Sequence, residues 1–441
     1  MARNGASRVS FVAGAAAVAF VIAALIGPRP SAPVRPEPTS RPDAILAPSA
    51  GGSLDATIAA LTVRLGEVPG DWQAAASLGI AYVQEARITG DPTLYPAAAA
   101  ALAGSLDLRP RDNPDALVGL ATLAAARHRF VAALRWGRRA LTVSSGDADA
   151  HGIVGDALVE LGRYGEAVRA FQRMVDLRPD LASFARVSYA LELRGDVPAA
   201  IRAMRMAFGL AGNRADAAWA AAHVGMLWFG EGRIDAAERW LLRAQAADSA
   251  SREAAAGLAV VAWARGDLDR AIAASEDLVA RYPAPEQVAL LGDLLEAAGD
   301  RTGAAAQYGL VEAQAKLLRA NGVAPGPELI LFQADHGSAR AALRAARAEW
   351  SRRQSVHVAD ALAWALHASG RDVEATHYAD LALRLGTRSA LFLFHAGMIR
   401  LRLGDRDRAL ELLQGTHDLN PWFSVRWSPV LRETLAKLEA G

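Results

Sequence analysis

The spacing of apolar residues predicts a chain built from helices. From about Leu54 onward, apolar residues recur at steps of three and four, and no stretch alternates apolar and polar residues in the manner of a strand. Breaks fall at short segments rich in glycine and aspartate, such as "RGDVP" (194–198) and "LGDRD" (403–407). Glycine readily ends one helix in the left-handed conformation and aspartate caps the start of the next. We therefore expect antiparallel helices joined by tight turns.

One spacing returns along most of the chain: a glycine five residues before an alanine. The pairs are Gly162/Ala167, Gly195/Ala200, Gly232/Ala237, Gly266/Ala271, Gly299/Ala304, Gly337/Ala342, Gly370/Ala375 and Gly404/Ala409, with His128/Ala133 as an upstream variant. Successive alanines of this series lie 33 to 38 residues apart. A nearly fixed period of this size predicts a repeat array in which each unit contains a helix A, a turn and a helix B.

The unit at 148–181 indicates the physical role of each residue in the recurring pattern. Gly155 on helix A and Ala167 on helix B are small enough to let the two backbones approach closely. Phe171 fills the space beside them, and Pro179 ends helix B because proline cannot continue the helical hydrogen-bond ladder. Glycine thus allows the turn between the helices, and alanine allows the two helices to make contact. Phenylalanine fills the space between them, and proline ends the second helix.

These residues resemble the tetratricopeptide repeat, whose units pair small residues across two helices and place an aromatic residue and a proline in the second. Comparable sets are "LGIAY" (78–82) with Pro110, "VGMLW" (224–228) with Ala237, "LLGDLL" (290–295) with Ala304 and Tyr308, and "HAGMIR" (395–400) with Ala409 and Pro421. The resemblance spans about residues 72 to 423. It implies an all-α, right-handed superhelical solenoid of about ten antiparallel helix pairs.

Several segments depart from the pattern. The unit at 323–356 contains "VAPGPELILFQ", so we expect its helix A to start late and to mark a bend between two arms. The first unit carries an insertion, "RITGDPTLYP" (87–96), between its helices. The repeats are assigned to residues 54–423, with a lone capping helix at 54–66, and a C-terminal capping helix is assigned to residues 424–441.

The N-terminus predicts export. Residues 11–27, "FVAGAAAVAFVIAALIG", follow Arg3 and Arg8 and carry no charge. At about 1.5 Å per residue they cover roughly 26 Å, so residues 1–27 are either a short membrane anchor or a long signal peptide, and the anchor is favoured. Residues 28–53 are a proline-rich linker. The remainder would face outward from the cytoplasmic membrane of a bacterial cell, or be periplasmic or extracellular if the segment is cleaved.

Composition narrows the chemistry. Lys plus Arg is 48 and Asp plus Glu is 47, a formal net charge of +1, which disfavours nucleic acid as a partner. The absence of cysteine excludes disulfides, thiolate zinc sites and a cysteine nucleophile.

No catalytic, phosphate-binding or metal-binding motif is present, so we expect a non-enzymatic protein without cofactor or metal. One metal alternative is a set of histidines near two aspartates: His357, His367, His377, Asp360 and Asp380. Ten-residue steps and the turn at Gly370 do not place these side chains on one helix face, so we favour histidines that are solvated or lie at the edge of the concave surface.

By the family resemblance, helix A lines the concave surface of the superhelix, which we call the groove. The groove positions are Asp156, Glu160, Tyr189, Glu192, Trp219, Met226, Phe229, Trp263, Asp293, Glu296, Trp364, Phe394 and Met398, with His357 and His367 beside them. This set predicts an acidic and aromatic groove. The alternative is that Trp219, Trp263 and Trp364 fill the core between adjacent repeats.

The leading hypothesis is a scaffold or adaptor that binds a protein or peptide partner in its groove, since aromatic side chains carry most interface energy. A rival is an accessory subunit of a cell-envelope enzyme or of a polysaccharide-export assembly. A third, least favoured, is a hydrolase or transferase with its site at Asp293 and Glu296. The Lys/Asn set with which some relatives bind a peptide's terminal carboxylate is absent from these positions, which disfavours a chaperone-tail receptor.

Overall fold

The computed structural model describes residues 54–440, so the expected anchor at 11–27 and the linker at 28–53 lie outside the described residues. Over 54–440 the chain forms 22 helices and no strand. The helices are α1 (Leu54–Glu67), α2 (Trp72–Thr89), α3 (Leu94–Leu108), α4 (Pro114–Ala126), α5 (Phe130–Val143), α6 (Ala148–Glu160), α7 (Tyr164–Leu177), α8 (Leu181–Leu193), α9 (Val197–Gly209), α10 (Arg214–Gly230), α11 (Ile234–Ala247), α12 (Arg252–Ala264), α13 (Leu268–Arg281), α14 (Pro285–Ala297), α15 (Arg301–Ala320), α16 (Pro327–His336), α17 (Ala339–Trp350), α18 (Val356–Ala368), α19 (Asp372–Leu383), α20 (Ala390–Arg402), α21 (Arg406–Leu419) and α22 (Trp427–Ala440).

Helices α2 to α21 form ten pairs, and α1 and α22 stand alone at the two ends. The predicted all-α solenoid of about ten helix pairs is therefore confirmed. The insertion expected between the helices at 87–96 is largely helical instead. Helix α2 continues to Thr89 and α3 begins at Leu94, so only residues 90–93 connect the two helices. Gly90, in the left-handed conformation at φ 75°, ends α2.

The unit at 148–181 has the chemistry that its spacing predicts. Ala167 and Phe171 on α7 are fully buried, and a Cβ added to Gly155 on α6 would lie under 3.0 Å from Phe171 ring atoms. Gly162, between α6 and α7, has φ 73°. Helix α7 ends at Leu177, and an extended Arg178 leads into Pro179, in keeping with the extended backbone that a following proline favours.

The turn between α4 and α5 is made without glycine. His128 takes the left-handed conformation at φ 56°, which is uncommon for a residue with a side chain. Its ring Nδ1 lies 2.8 Å from the carbonyl oxygen of Ala324, almost two hundred residues along the chain. A tertiary contact thus accompanies the unusual backbone at the position where the glycine of the repeat is missing.

The His128 contact belongs to a series. Val356 N–H donates to Tyr164 Oη at 2.8 Å, Thr387 Oγ1 donates to the Leu193 carbonyl at 2.5 Å, and Asn420 Nδ2 donates to the Phe229 carbonyl at 2.8 Å. The partners in the four contacts are 191 to 196 residues apart. This constant offset means that one superhelical turn packs edge to edge on the next.

We call this set of contacts the inter-turn seam: the A–B turns after α4, α6, α8 and α10 against the loops before α16, α18, α20 and α22. Gly162 is needed at the seam as well as in the turn. A Cβ added to it would lie 2.6 Å from the Gln354 carbonyl oxygen, so only glycine allows the two backbones to come this close. Helix α16 starts late, at Pro327, as expected. The loop before it contacts the α4–α5 turn, so it serves as a seam contact where the sequence suggested a bend between arms.

A buried arginine crosses the seam. Arg353, in the loop before α18, is 1% exposed and donates through Nη1 to Glu160 of α6 at 2.7 Å and through Nε to Glu349 of α17 at 2.5 Å. Its guanidinium carbon lies 4.9 Å from the centre of the Phe130 ring. Since an isolated buried charge is costly, the two carboxylates and the ring together make this position tolerable for an arginine.

Candidate partner-binding surface

Five of the predicted groove residues are buried, which contradicts their assignment to an open surface. They are Glu160, Trp219, Phe229, Trp364 and Phe394. Helix A is covered by its neighbours along the array and, in part, by the second superhelical turn across the seam. These five side chains therefore stabilise the solenoid and are not available to a partner.

The tryptophans show how the core alternative applies. Trp219 lies 4.0 Å, ring to ring, from His223, and Trp364 lies 4.1 Å from His395 while donating from Nε1 to Asp335 at 2.6 Å. Both are core residues, as the alternative interpretation proposed. Trp263 is only half-buried and meets Trp422 edge to face at 6.0 Å.

The remaining groove positions keep some exposure: Asp156, Tyr189, Glu192, Met226, Trp263, Asp293, Glu296 and Met398. Asp156 is neutralised by Arg186, which donates from Nε at 2.9 Å and from Nη2 at 2.6 Å. Tyr189 stacks on His357 across the seam at 6.1 Å, a contact that joins α8 to α18. The groove is therefore bordered by residues from both superhelical turns.

Glu192, at the end of α8, forms no ion pair within residues 54–440, and burial raises the pKa of its carboxyl to about 7. Two glutamates that were not predicted share this property. Burial raises the pKa of Glu286 and raises that of Glu328 to about 7. The fields of Glu286 and Glu160 further raise the pKa of Glu328, whereas Arg353 opposes them. The carboxyls of Glu160, Glu286 and Glu328, from α6, α14 and α16, are therefore close enough for their charges to interact.

A sequence signal for the two missed glutamates exists. Each follows a proline at the first position of its helix, Pro285 in α14 and Pro327 in α16, where an acidic residue also suits the positive end of the helix dipole. The predicted groove positions included no residue from the first turn of α14 or α16, so both were overlooked.

Basic groups reach the same interior. Arg252, at the start of α12, donates from Nε to Glu253 at 2.9 Å and from Nη1 to the Ile88 carbonyl of α2 at 3.4 Å. Arg87 forms no ion pair in the described part of the chain, and burial lowers the pKa of its guanidinium. Arg252 is thus paired, whereas Glu192, Glu286 and Glu328 form no ion pair within residues 54–440.

Asp293 and Glu296 of α14 converge with a histidine from α16. One ligand atom each from Asp293, Glu296 and His336 lie within 4.8 Å of one another, the size of a metal site. Tyr308 Oη lies 2.9 Å from Asp293 Oδ1 and 3.1 Å from Glu296 Oε2, and His336 Nε2 is 3.0 Å from Asp293 Oδ1. Arg426 Nη1 donates to Glu296 Oε2 at 2.9 Å, so one oxygen of each carboxylate is held by protein groups.

The histidines considered as an alternative metal set are not brought together. His357 stacks on Tyr189, His367 pairs with Asp372, and His377 lies on α19 beside Tyr378. Asp360 pairs with His395 at 2.9 Å.

Among residues 54–440, no helix is both apolar enough and long enough to cross a bilayer.

Comparison with known proteins found one family match and several similar solved structures. The sequence profile of the tetratricopeptide repeat matches residues 148–181. No curated protein matches the chain by sequence. Similar solved structures include yeast Tom70, at 14% identity over 88% of this chain and 85% of that chain with a TM-score of 0.37, and the human IFIT1 dimer with PPP-AAAA, at 15% identity over 71% and 73% with a TM-score of 0.46.

At these identities the likeness to solved structures concerns the fold alone. The matched segment is one tetratricopeptide repeat, and the same kind of helix pair recurs through residues 72–419. Helical solenoids of this kind present extended surfaces and are in general protein-interaction scaffolds.

Proposed function

We propose that the protein is a non-enzymatic scaffold that binds a basic segment of a partner protein on its inner surface, and that it works outside the cytoplasm, exported or held at the membrane by residues 11–27. The observation that carries the proposal is three carboxyls on A helices that form no ion pair within residues 54–440: Glu286 and Glu328, whose charges interact, and Glu192 on α8. A carboxyl buried without a counter-charge is costly, and a cationic ligand removes that cost.

Half-buried aromatic and thioether groups accompany these carboxyls. Tyr189 lies three residues before Glu192 on α8, and Trp263 and Met226 keep exposed atoms on α12 and α10. Aromatic and methionine side chains supply adaptable apolar contact area at peptide interfaces. A segment that alternates arginine or lysine with apolar residues matches this combination.

Binding of such a segment should strengthen as the pH rises. Glu192 and Glu328 have pKa values of about 7 in the free protein, so both are largely protonated at pH 6 and ionised at pH 8. A cationic ligand interacts better with the ionised form. We expect the affinity for a 15-residue peptide of alternating arginine and leucine to increase about tenfold between pH 6 and pH 8, measured by fluorescence anisotropy.

The variant Glu192→Gln/Glu328→Gln should bind this peptide more weakly at pH 8 and lose most of the pH dependence. A matched control is Glu276→Gln/Glu312→Gln, which removes two exposed carboxyls elsewhere and should bind as the unmodified protein does. Equal binding of an aspartate–leucine peptide, or equal loss of binding in both variants, would reject an acidic inner site.

The intact mass of the mature protein from cells tests whether residues 1–27 are retained.

A further inference from the structure

The outward faces of four consecutive B helices carry arginine at the same repeat position. Two residues after the small alanine of the repeat stand Arg135, Arg169, Arg202 and Arg239, on α5, α7, α9 and α11. All four are exposed. In the next two units this position is Ala273 and Ala306, and beyond them only Arg344 on α17 is an arginine at this position of the series, so the uninterrupted run of four lies in one stretch of the solenoid.

A second row runs beside the first. Four residues further along the same helices, on the same helical face, stand Arg139, Arg173 and Arg243, each exposed. We call the two rows the arginine band. Helices α5 and α9 contain no acidic residue at all, while in α13 the second-row position is Asp277, next to Glu276. A chain with a net charge of only +1 therefore concentrates positive charge on one convex face.

The band is continuous between neighbouring helices where side chains meet. Arg138 of α5 reaches Glu166 of α7 at 3.4 Å. Phe208 of α9 packs edge to face on Trp240 of α11 at 5.7 Å, and Arg243 lies over both rings, at 4.8 Å and 5.2 Å. Arg169, Arg202 and Arg239 form no ion pair within residues 54–440, so their guanidinium donors face outward unused.

Apolar side chains stand exposed within the band. Met206 on α9 is 52% exposed, Leu210 directly after α9 is 48% exposed, and Leu242 on α11 is 44% exposed. Trp136 and Trp240 lie half-buried beneath arginines of the same face. The planar guanidinium group of arginine can donate two hydrogen bonds to one phosphate. The exposed leucine and methionine side chains and the half-buried tryptophans suit the apolar layer just below the lipid phosphates. A nucleic-acid backbone would use the arginines but leave the apolar groups without a partner.

From this combination we infer that the arginine band is a docking surface for a bilayer rich in anionic phospholipid, with the guanidinium groups on the lipid phosphates and Met206 and Leu242 entering the interface. The band lies on the B helices and is separate from the inner surface proposed to bind a protein segment. Its function does not depend on that proposal.

The test is co-sedimentation of the full-length protein with vesicles of phosphatidylcholine alone and of phosphatidylcholine with 30 mol% phosphatidylglycerol. The variant Arg169→Gln/Arg202→Gln/Arg239→Gln removes three band arginines. The control Arg301→Gln/Arg319→Gln/Arg340→Gln removes three exposed arginines that stand at other repeat positions and form no ion pair within residues 54–440. All three proteins share the N-terminal apolar segment, so its contribution to vesicle binding is the same in each.

We expect the band variant to lower partitioning onto anionic vesicles by about tenfold or more, with the control within about threefold of the unmodified protein and all three equal on neutral vesicles. Met206→Ser/Leu242→Ser should also weaken anionic binding, by a factor that persists at 0.5 M salt. Equal losses in the two arginine variants, or no preference for anionic vesicles, would overturn the inference. Tighter binding to a 20-base-pair duplex, lost in the band variant, would reassign the band to nucleic acid.

Discussion

At the scale of single residues, the close approach of paired helices depends on the missing side chain of Gly155. A Cβ at this position would meet the Phe171 ring, which is fully buried and cannot move aside. We expect Gly155→Ala to lower the free energy of unfolding by about 1–3 kcal/mol, measured by urea denaturation, because overpacking a dense core forces side chains from their preferred rotamers.

Gly104, in the interior of α3, is the control for this prediction. An added Cβ there would have no heavy atom within 4 Å, so Gly104→Ala should stabilise the protein by about 0.5–1 kcal/mol through better helix propensity. If both substitutions stabilised the protein, the steric role of Gly155 would be wrong.

At the scale of helices, the turns and packing within one repeat could be predicted from the sequence, whereas the contacts between superhelical turns could not. The turn at Gly162 and the packing of Phe171 involve residues within one unit, so a repeating spacing reveals them. The neighbour of Glu160 is Arg353, 193 residues away, and that pairing depends on rotation accumulated over several repeats. Glu160 was therefore placed on an open groove, while the buried arginine that pairs with it was missed.

The Arg353 pairing leads to a prediction about α6 and α17. Replacing Arg353 with methionine leaves Glu160 and Glu349 buried beside each other without a shared counter-charge. We expect Arg353→Met to lower the free energy of unfolding by about 3–5 kcal/mol at pH 7. Burial already raises the pKa of Glu160, so this loss should be smaller at pH 5, where the carboxyl can take up a proton.

Arg352 provides the matched control for Arg353. It also pairs with Glu349, but its side chain is 46% exposed, so Arg352→Met should cost less than about 1 kcal/mol. Adding Glu160→Gln to Arg353→Met should recover part of the loss. Similar effects of the two arginine substitutions would mean that the buried pair contributes no more than a surface pair.

At the scale of the whole molecule, the seam predicts that distant repeats are coupled. In an open solenoid each repeat contacts only its neighbours, and a change in one unit is felt only nearby. Here Arg388 donates to Glu231 at 2.9 and 2.8 Å, and Asn420 donates to the Phe229 carbonyl, so the second turn holds the α10–α11 connection of the first.

Hydrogen exchange can therefore separate a stacked superhelix from an open one. In Arg388→Ala/Asn420→Ala, both changes lie in the second turn, yet we expect faster amide exchange at Gly195 and Gly232 in the first, with unchanged circular dichroism. Arg347→Ala/Arg400→Ala is the control, because it removes pairs with Glu374 and Asp380 that lie within one turn. Acceleration confined to the mutated repeats would show that the two turns move independently, and the edge-to-edge packing would then contribute little to the shape of the protein in solution.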